Sequence, residues 1–306
     1  MKLIKQSFEI LEQKDFSLIG IKKFIERCGR VCYKSEDKIT DTSYEKFVGM
    51  LESRNHARPL EFGTVYLKYL WNGRVCDSCN QAFPDKLLDR YCNNKYSRVK
   101  YHGNDTYITT NYRVIIENHW EEDLKYLCEP TEYHDKRYTV HFITSRGIMD
   151  EFRTHVSLSH LAESTRYCNY SKDKFDNQIT FIKPCWLDMH DTDEGREVTR
   201  NWNFDILDGC SIIAEEGEFD DARDAFLTSL NVTEHCYLEL LQKGWTPQQA
   251  REVLPLSVKS ELISCGFKDA WDNFFYRRCA KDVHPMAKEL AEPLMKEFIT
   301  RKYINN

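Results

Sequence analysis

The chain has 306 residues, 41% of them hydrophobic and 13% aromatic, with a formal net charge of -6 and 12 cysteines. This composition excludes wholesale disorder, allows a sizeable core, and argues against gripping long nucleic acid through a positive field. The start Met1-Lys-Leu-Ile-Lys-Gln-Ser7 lacks the apolar run of a secretion signal, and no stretch reaches membrane-spanning length. A cytoplasmic protein with reduced thiols and no membrane partner is expected.

Leu18, Ile21, Phe24, Ile25 and Val31 recur at helical spacing and predict a helix over Phe16–Tyr33. Asp41-Thr-Ser43 reads as the cap of a second helix reaching Glu52, and the β-branched and aromatic run Leu60–Trp71 as a strand. Residues 72–105 are polar, carry Asn72-Gly73 and Gly103-Asn104, and read as a cysteine-containing insertion between strands. Tyr107–Asn118, Arg137–Thr144 and Asn177–Lys183 are predicted strands, with a short helix over His119–Cys128. From Asp191 onward the pattern is mostly helical, and Phe219–Lys243 is the clearest amphipathic helix, stopped by Gly244. The acidic run Glu215–Asp224 reads as a solvated loop and helix start. The expected fold class is mixed α/β, a single domain over 1–306 with a central mixed sheet and a helical C-terminal half. No GxGxxG, P-loop or HExxH pattern occurs, so a Rossmann unit is not supported.

The segment Arg153–Tyr167 interleaves two arginines, two histidines, several hydroxyls and a carboxylate. Arg forks suit phosphate oxygens and hydroxyls suit ring carbonyls. An amphipathic helix with a polar face is the plainer alternative. Arg251, in Ala250-Arg-Glu-Val-Leu-Pro255, and Arg278, in Phe274-Phe-Tyr-Arg-Arg278, form a second basic set downstream. Adjacent Arg277 and Arg278 point to different faces of a helix, and spacing favours Arg278 for a site. Cys76-x2-Cys79-x12-Cys92, with His102 or Cys128 as a fourth ligand, has part of a zinc spacing. Three ligands leave the set incomplete, and reduced thiols are the preferred reading, with no metal expected.

These motifs occur in a known order. Arg30-Val-Cys-Tyr-Lys-Ser35, His56-Ala-Arg-Pro-Leu-Glu61, His155 to Tyr167, Tyr167-Cys-Asn-Tyr-Ser171, Ala250–Pro255 and the Arg278 helix followed by His284-Pro285 resemble the motifs of flavin-dependent thymidylate synthases (ThyX). The resemblance implies a ThyX-like fold and a homotetramer with shared active sites. It also implies FAD, NADPH and methylenetetrahydrofolate as cofactors, and conversion of dUMP to dTMP. By position it assigns Arg153, Ser164, Thr165, Arg166, Arg251 and Arg278 to dUMP, with Ser164, Arg166 and Arg278 as the catalytic candidates. His155, Ser159, Glu163 and Asn273 are assigned to FAD.

The signature departs from the family pattern RHRxxSxNExSxRY. Thr154 and Val156 replace its first and third positions, both arginine, Leu161-Ala162 replaces Asn-Glu, and Phe62 follows Glu61 where most members have histidine. Each lost guanidinium near a diphosphate removes a charge-assisted bond of roughly 1.5–3 kcal/mol. Arg153, one place early, and Glu163, one place late, are the candidate replacements. Two alternatives therefore stay open. One is a related C5-pyrimidine-modifying flavoenzyme, for example a hydroxymethylating one. The other is a flavin-free nucleotide-binding pseudoenzyme or partner subunit.

Overall fold

The computed structural model describes residues 1–70, 86–164, 166, 168–172, 175–187, 205–207, 211–213 and 221–304. Cys76, Cys79, Thr165, Tyr167 and much of the insertion and acidic run lie outside the described residues. In chain order the elements begin with β1 (Lys2–Ile4), β2 (Ser7–Leu11), α1 (Leu18–Tyr33), α2 (Ser43–Ser53), β3 (Thr64–Leu70) and α3 (Lys86–Cys92). They continue with β4 (Arg98–His102), β5 (Asp105–Asn111), α4 (Tyr112–Glu117), β6 (Arg137–Ser145), α5 (Arg146–Arg153), β7 (Ser159–Ala162) and β8 (Thr180–Ile182). The last are β9 (Asp205–Leu207), β10 (Ser211–Ile213), α6 (Ala222–Gln242), α7 (Pro247–Ala250), β11 (Lys259–Phe267), α8 (Lys268–Arg278) and α9 (Pro285–Thr300).

The chain divides into two compact units. The first comprises Met1–Gln6, Thr144–Met149 and Ser164–Ser260. In it β1 runs parallel to β8, with Leu3 opposite Phe181, and β9 pairs antiparallel with β10. Its core gathers Tyr170, Ile179, Phe181, Leu230, Tyr237 and Val258. Helix α6 begins where the Asp221 side chain accepts from Asp224 N, and it ends before Gly244 at φ +92, a backbone state that suits glycine. Glu234, on that helix, takes both the Met1 ammonium at 2.7 Å and the Ile179 N–H at 2.6 Å.

The second unit comprises Ser7–Ile143, Asp150–Glu163 and Glu261–Asn306. Its four-stranded sheet has the order β2-β6-β11-β7, with β2 antiparallel to β6 and β11 antiparallel to β7. A second, antiparallel sheet has the order β3-β5-β4. Ile21 and Ile25 of α1 and Val48 and Leu51 of α2 pack with Val65, Leu67 and Ile108 of the second sheet. Under α8 and α9 the rings of Phe142, Phe152, Trp271, Phe274 and Phe298 pack in edge-to-face and tilted pairs, Phe152 lying 5.0 Å from Phe274.

The mixed α/β class agrees with expectation; several local readings do not. The predicted strand Tyr107–Asn118 stops at Asn111, whose side chain accepts from Val114 N and starts α4. Thr42 makes no capping bond to α2; Ser43 Oγ instead accepts from Thr40 N and donates to Glu26. The described residues of Arg153–Tyr167 do not form one helix: α5 ends at Arg153, a turn follows, and β7 begins at Ser159. The half expected to be mostly helical also carries β11, buried along its length, so no polar alternation betrays it. Among the described residues no helix is long and apolar enough to cross a membrane.

Candidate functional site

Helix α8 buries Trp271 and Phe274, and Arg278 falls four residues after Phe274 on that same face. Its guanidinium turns back onto the end of α5. Nε donates to His155 Nε2 at 2.8 Å, Nη1 to Glu151 Oε2 at 2.8 Å, and Nη2 to Glu151 O at 2.6 Å and Thr154 Oγ1 at 3.1 Å. A guanidinium only donates, so His155 Nε2 accepts and its proton sits on Nδ1. Burial, then Arg278 and His160, hold His155 down at about 4, so the imidazole is neutral at physiological pH. His160 is buried beside it, Nε2 donating to His155 O at 2.9 Å and Nδ1 accepting from Ser264 Oγ at 2.9 Å. Burial likewise holds His160 at about 4. Arg277 is exposed and donates to Asn273 Oδ1 at 3.2 Å.

A second cluster sits at the end of α1. Lys34 takes the left-handed conformation there, φ 47, and its ammonium pairs with Glu261 and lies 3.9 Å from Glu163. The other Glu261 oxygen meets His141 Nε2 at 2.9 Å. Glu163 and Glu261 are 3% and 6% exposed, so both carboxylates depend on these partners. Burial opposes the Lys34 charge, but Glu163 and Glu261 outweigh it and raise its pKa above the usual lysine value. Arg30, from the first motif, is an internal strut: it pairs with Glu26 at 2.7 Å and donates to Ser35 O.

Two cavities in this unit adjoin the motif residues. One, of about 440 Å³, is lined by Cys32, Tyr33, His56, Arg58, Arg113 and Leu161, bringing the two N-terminal motifs beside β7. Tyr33 OH lies 3.1 Å from His56 Nδ1, and Arg113 bridges Glu61 and Glu117. Burial, with Glu163 and Glu36, pushes the Cys32 thiol up to about 12, which makes it a poor nucleophile. The other cavity, of about 220 Å³, has Ser159 in its wall with Arg98, Arg137, Val156 and Phe267.

In the first unit, Arg166 is exposed and its Nε donates to Gln248 Oε1 at 3.1 Å. Gln248 belongs to α7, one turn ahead of Arg251, so Arg166 lies beside the segment carrying Arg251. Arg251 Nε is 3.5 Å from Glu252. Ser164 is half-buried, its carbonyl accepting from Cys168 Sγ at 3.5 Å.

The structure thus joins His155 to Arg278, Glu163 to Lys34, and Arg166 to the Arg251 segment. Arg153 is exposed and pairs with Asp150 at 3.1 Å, and Val156 is 95% exposed on the turn. Cys92 lies 3.6 Å from Tyr101 OH, and no metal-ligating group is present among the described residues. Sequence reasoning passed over Lys34, Glu261, His141 and Glu151. Glu151 alone left a signal, since it sits four residues before His155 on the approach to the signature.

No curated protein sequence matches the chain. Among solved structures it is similar to the UMP/dUMP methylase PolB from Streptomyces cacaoi bound with 5-Br UMP, at 14% identity and TM-score 0.41, covering 98% of this chain and 92% of that one. The same methylase bound with 5-Br dUMP matches at 14% identity and TM-score 0.39, covering 98% and 93%. Residues 101–301 match the model of the family Thy1, thymidylate synthase complementing protein. The chain belongs to the Thy1 (ThyX) family.

Proposed function

We propose that this chain is a flavin-dependent enzyme that modifies C5 of a pyrimidine nucleotide. Its simplest reaction is conversion of dUMP to dTMP with methylenetetrahydrofolate as carbon donor and NADPH as reductant. The observation that carries this reading is the family match over residues 101–301, which spans Ser164, Arg166, Arg251 and Arg278 at their motif spacing.

The residues fit a flavin dinucleotide in two respects. His155 is neutral and keeps its Nδ1–H as a donor for a ring carbonyl or nitrogen. The cavity wall beside Ser159 carries cationic side chains suited to a diphosphate. When bound, a reduced flavin supplies the hydride that the pyrimidine takes up. The protein's own part is positioning and charge stabilisation. Arg166 and Arg251 hold phosphate or uracil oxygens, from a site shared between subunits of a homotetramer. Arg278 has four of its five N–H donors committed. It therefore acts chiefly by keeping His155 neutral and oriented, while its remaining donor reaches the substrate.

One observation favours the flavin-free reading instead: Arg153, the candidate replacement for the missing signature arginines, pairs with Asp150. Incubation of the protein with FAD, NADPH, methylenetetrahydrofolate and either dUMP or UMP, read by mass spectrometry, decides between them. A product heavier by one CH2 supports the proposal, and a hydroxymethyl mass changes only the one-carbon outcome. Unchanged nucleotides from flavin-loaded protein would overturn it.

A further inference from the structure

Arg137 opens β6 half-buried, yet it has no carboxylate partner among the described residues. Its Nη1 makes one hydrogen bond, to Thr64 Oγ1 at 3.3 Å, and its guanidinium carbon lies 5.8 Å from the centre of the Phe267 ring. A guanidinium withdrawn from water without an anion is costly, so a position of this kind suits one that takes its anion from a ligand. Arg98 of β4 lies over the same ring, 4.9 Å from its centre, and its Nη2 is 3.0 Å from Asp269 Oδ2. Lys95, exposed just before that strand, completes the set. All three cations line the cavity of about 220 Å³, against the single carboxylate of Asp269. The hydroxyl residues Ser157 and Ser159 also line it.

We infer that this cavity is an anion site for a phosphate or diphosphate group, held by Arg137 and Arg98 with Lys95 at the mouth. Both guanidiniums lie over the Phe267 ring and keep N–H donors for oxygens, and two such forks in one cavity favour a multiply charged phosphate over a lone carboxylate. Val156 lies in the same wall. The positive charge that positions 154 and 156 lack is thus supplied from β4, the loop before it and β6. Only the identity of the phosphate's owner rests on the function proposed above: it is either the diphosphate of a dinucleotide cofactor or the monophosphate of the nucleotide.

Calorimetric titration of the full chain with inorganic pyrophosphate, and then separately with FAD and dUMP, tests this on wild type, R137Q, R137K and K95Q. Pyrophosphate binding that weakens at least tenfold in R137Q, partly recovers in R137K and declines with salt is the expected result. Loss of FAD affinity alone assigns the diphosphate, and loss of dUMP affinity alone assigns the nucleotide phosphate. Wild type without pyrophosphate affinity at low salt, or R137Q with native melting and wild-type affinity, overturns the site. Should R137Q fail to fold, K95Q decides, because its side chain is exposed: unchanged pyrophosphate affinity at low salt counts against the site. Arg137-dependent pyrophosphate binding by a protein that never alters dUMP keeps the site and removes the proposed reaction. Turnover with Arg137-independent binding does the reverse.

Discussion

Arg278 donates through Nε to His155 Nε2 over 2.8 Å, so a fixed cation is bonded to an imidazole that must stay neutral. The consequence is a pH dependence of stability. His155 and His160 are held at about 4 against an ordinary 6.5, burial being the first cause in both. The unfolded chain therefore binds their protons first. Their contribution to stability is complete above about 6.5 and is lost as pH falls toward about 4. Urea midpoints should fall through that window in the wild type and fall less in H155Q. A midpoint that stays level down to about pH 4.5, above most carboxylate titration, would contradict the geometry.

Removing the cation should free the imidazole. In R278M the His155 titration midpoint, followed by NMR of the ring protons, should move up from about 4. Loss of the hydrogen bonds to Glu151, His155 and Thr154 should cost about 1.5–3 kcal/mol of stability by urea titration. An unmoved His155 midpoint would show that burial alone sets it.

The Lys34 ammonium pairs with Glu261 and lies 3.9 Å from Glu163. K34M should destabilise the chain by about 3–5 kcal/mol, because two buried carboxylates lose their counter-charge. Chemical denaturation at neutral pH checks this: a K34M midpoint equal to that of the wild type is the contrary outcome.

Two glycines should respond to alanine with opposite signs. A Cβ on Gly63 would lie 2.7 Å from Ile25 Cδ1 and 2.8 Å from Ile21 Cγ2, both in a tightly packed core. G63A should cost about 1–3 kcal/mol. Gly49, inside α2, has nothing within 4 Å of that position, and G49A should stabilise by about 0.4–1 kcal/mol. Thermal melts of both variants would expose an error in either assignment.

The sequence was most informative where a signal is local. The spacing of Leu18, Ile21, Phe24 and Ile25 marked α1, and Gly244 marked the end of α6. The ordered motifs alone point to the family. Signals spread through space were not readable. Lys34 and Glu261 are 227 residues apart and belong to no shared pattern. β11 hid because both its faces are buried, and Ser264 is satisfied there by His160. The plainer helical alternative for Arg153–Tyr167 fails because the helix stops at its first residue and a turn leads into β7. That break bears on the site, since Arg153 at the end of α5 pairs with Asp150.

The most direct test of the flavoenzyme reading is the visible spectrum of the purified protein after FAD addition and gel filtration, before and after dUMP. Flavin bands near about 370 and 450 nm that co-elute with the protein and shift on adding dUMP are predicted, since pyrimidine and flavin would share one site. A protein that elutes colourless after reconstitution, while still binding dUMP, would contradict the account and leave a nucleotide binder without flavin chemistry.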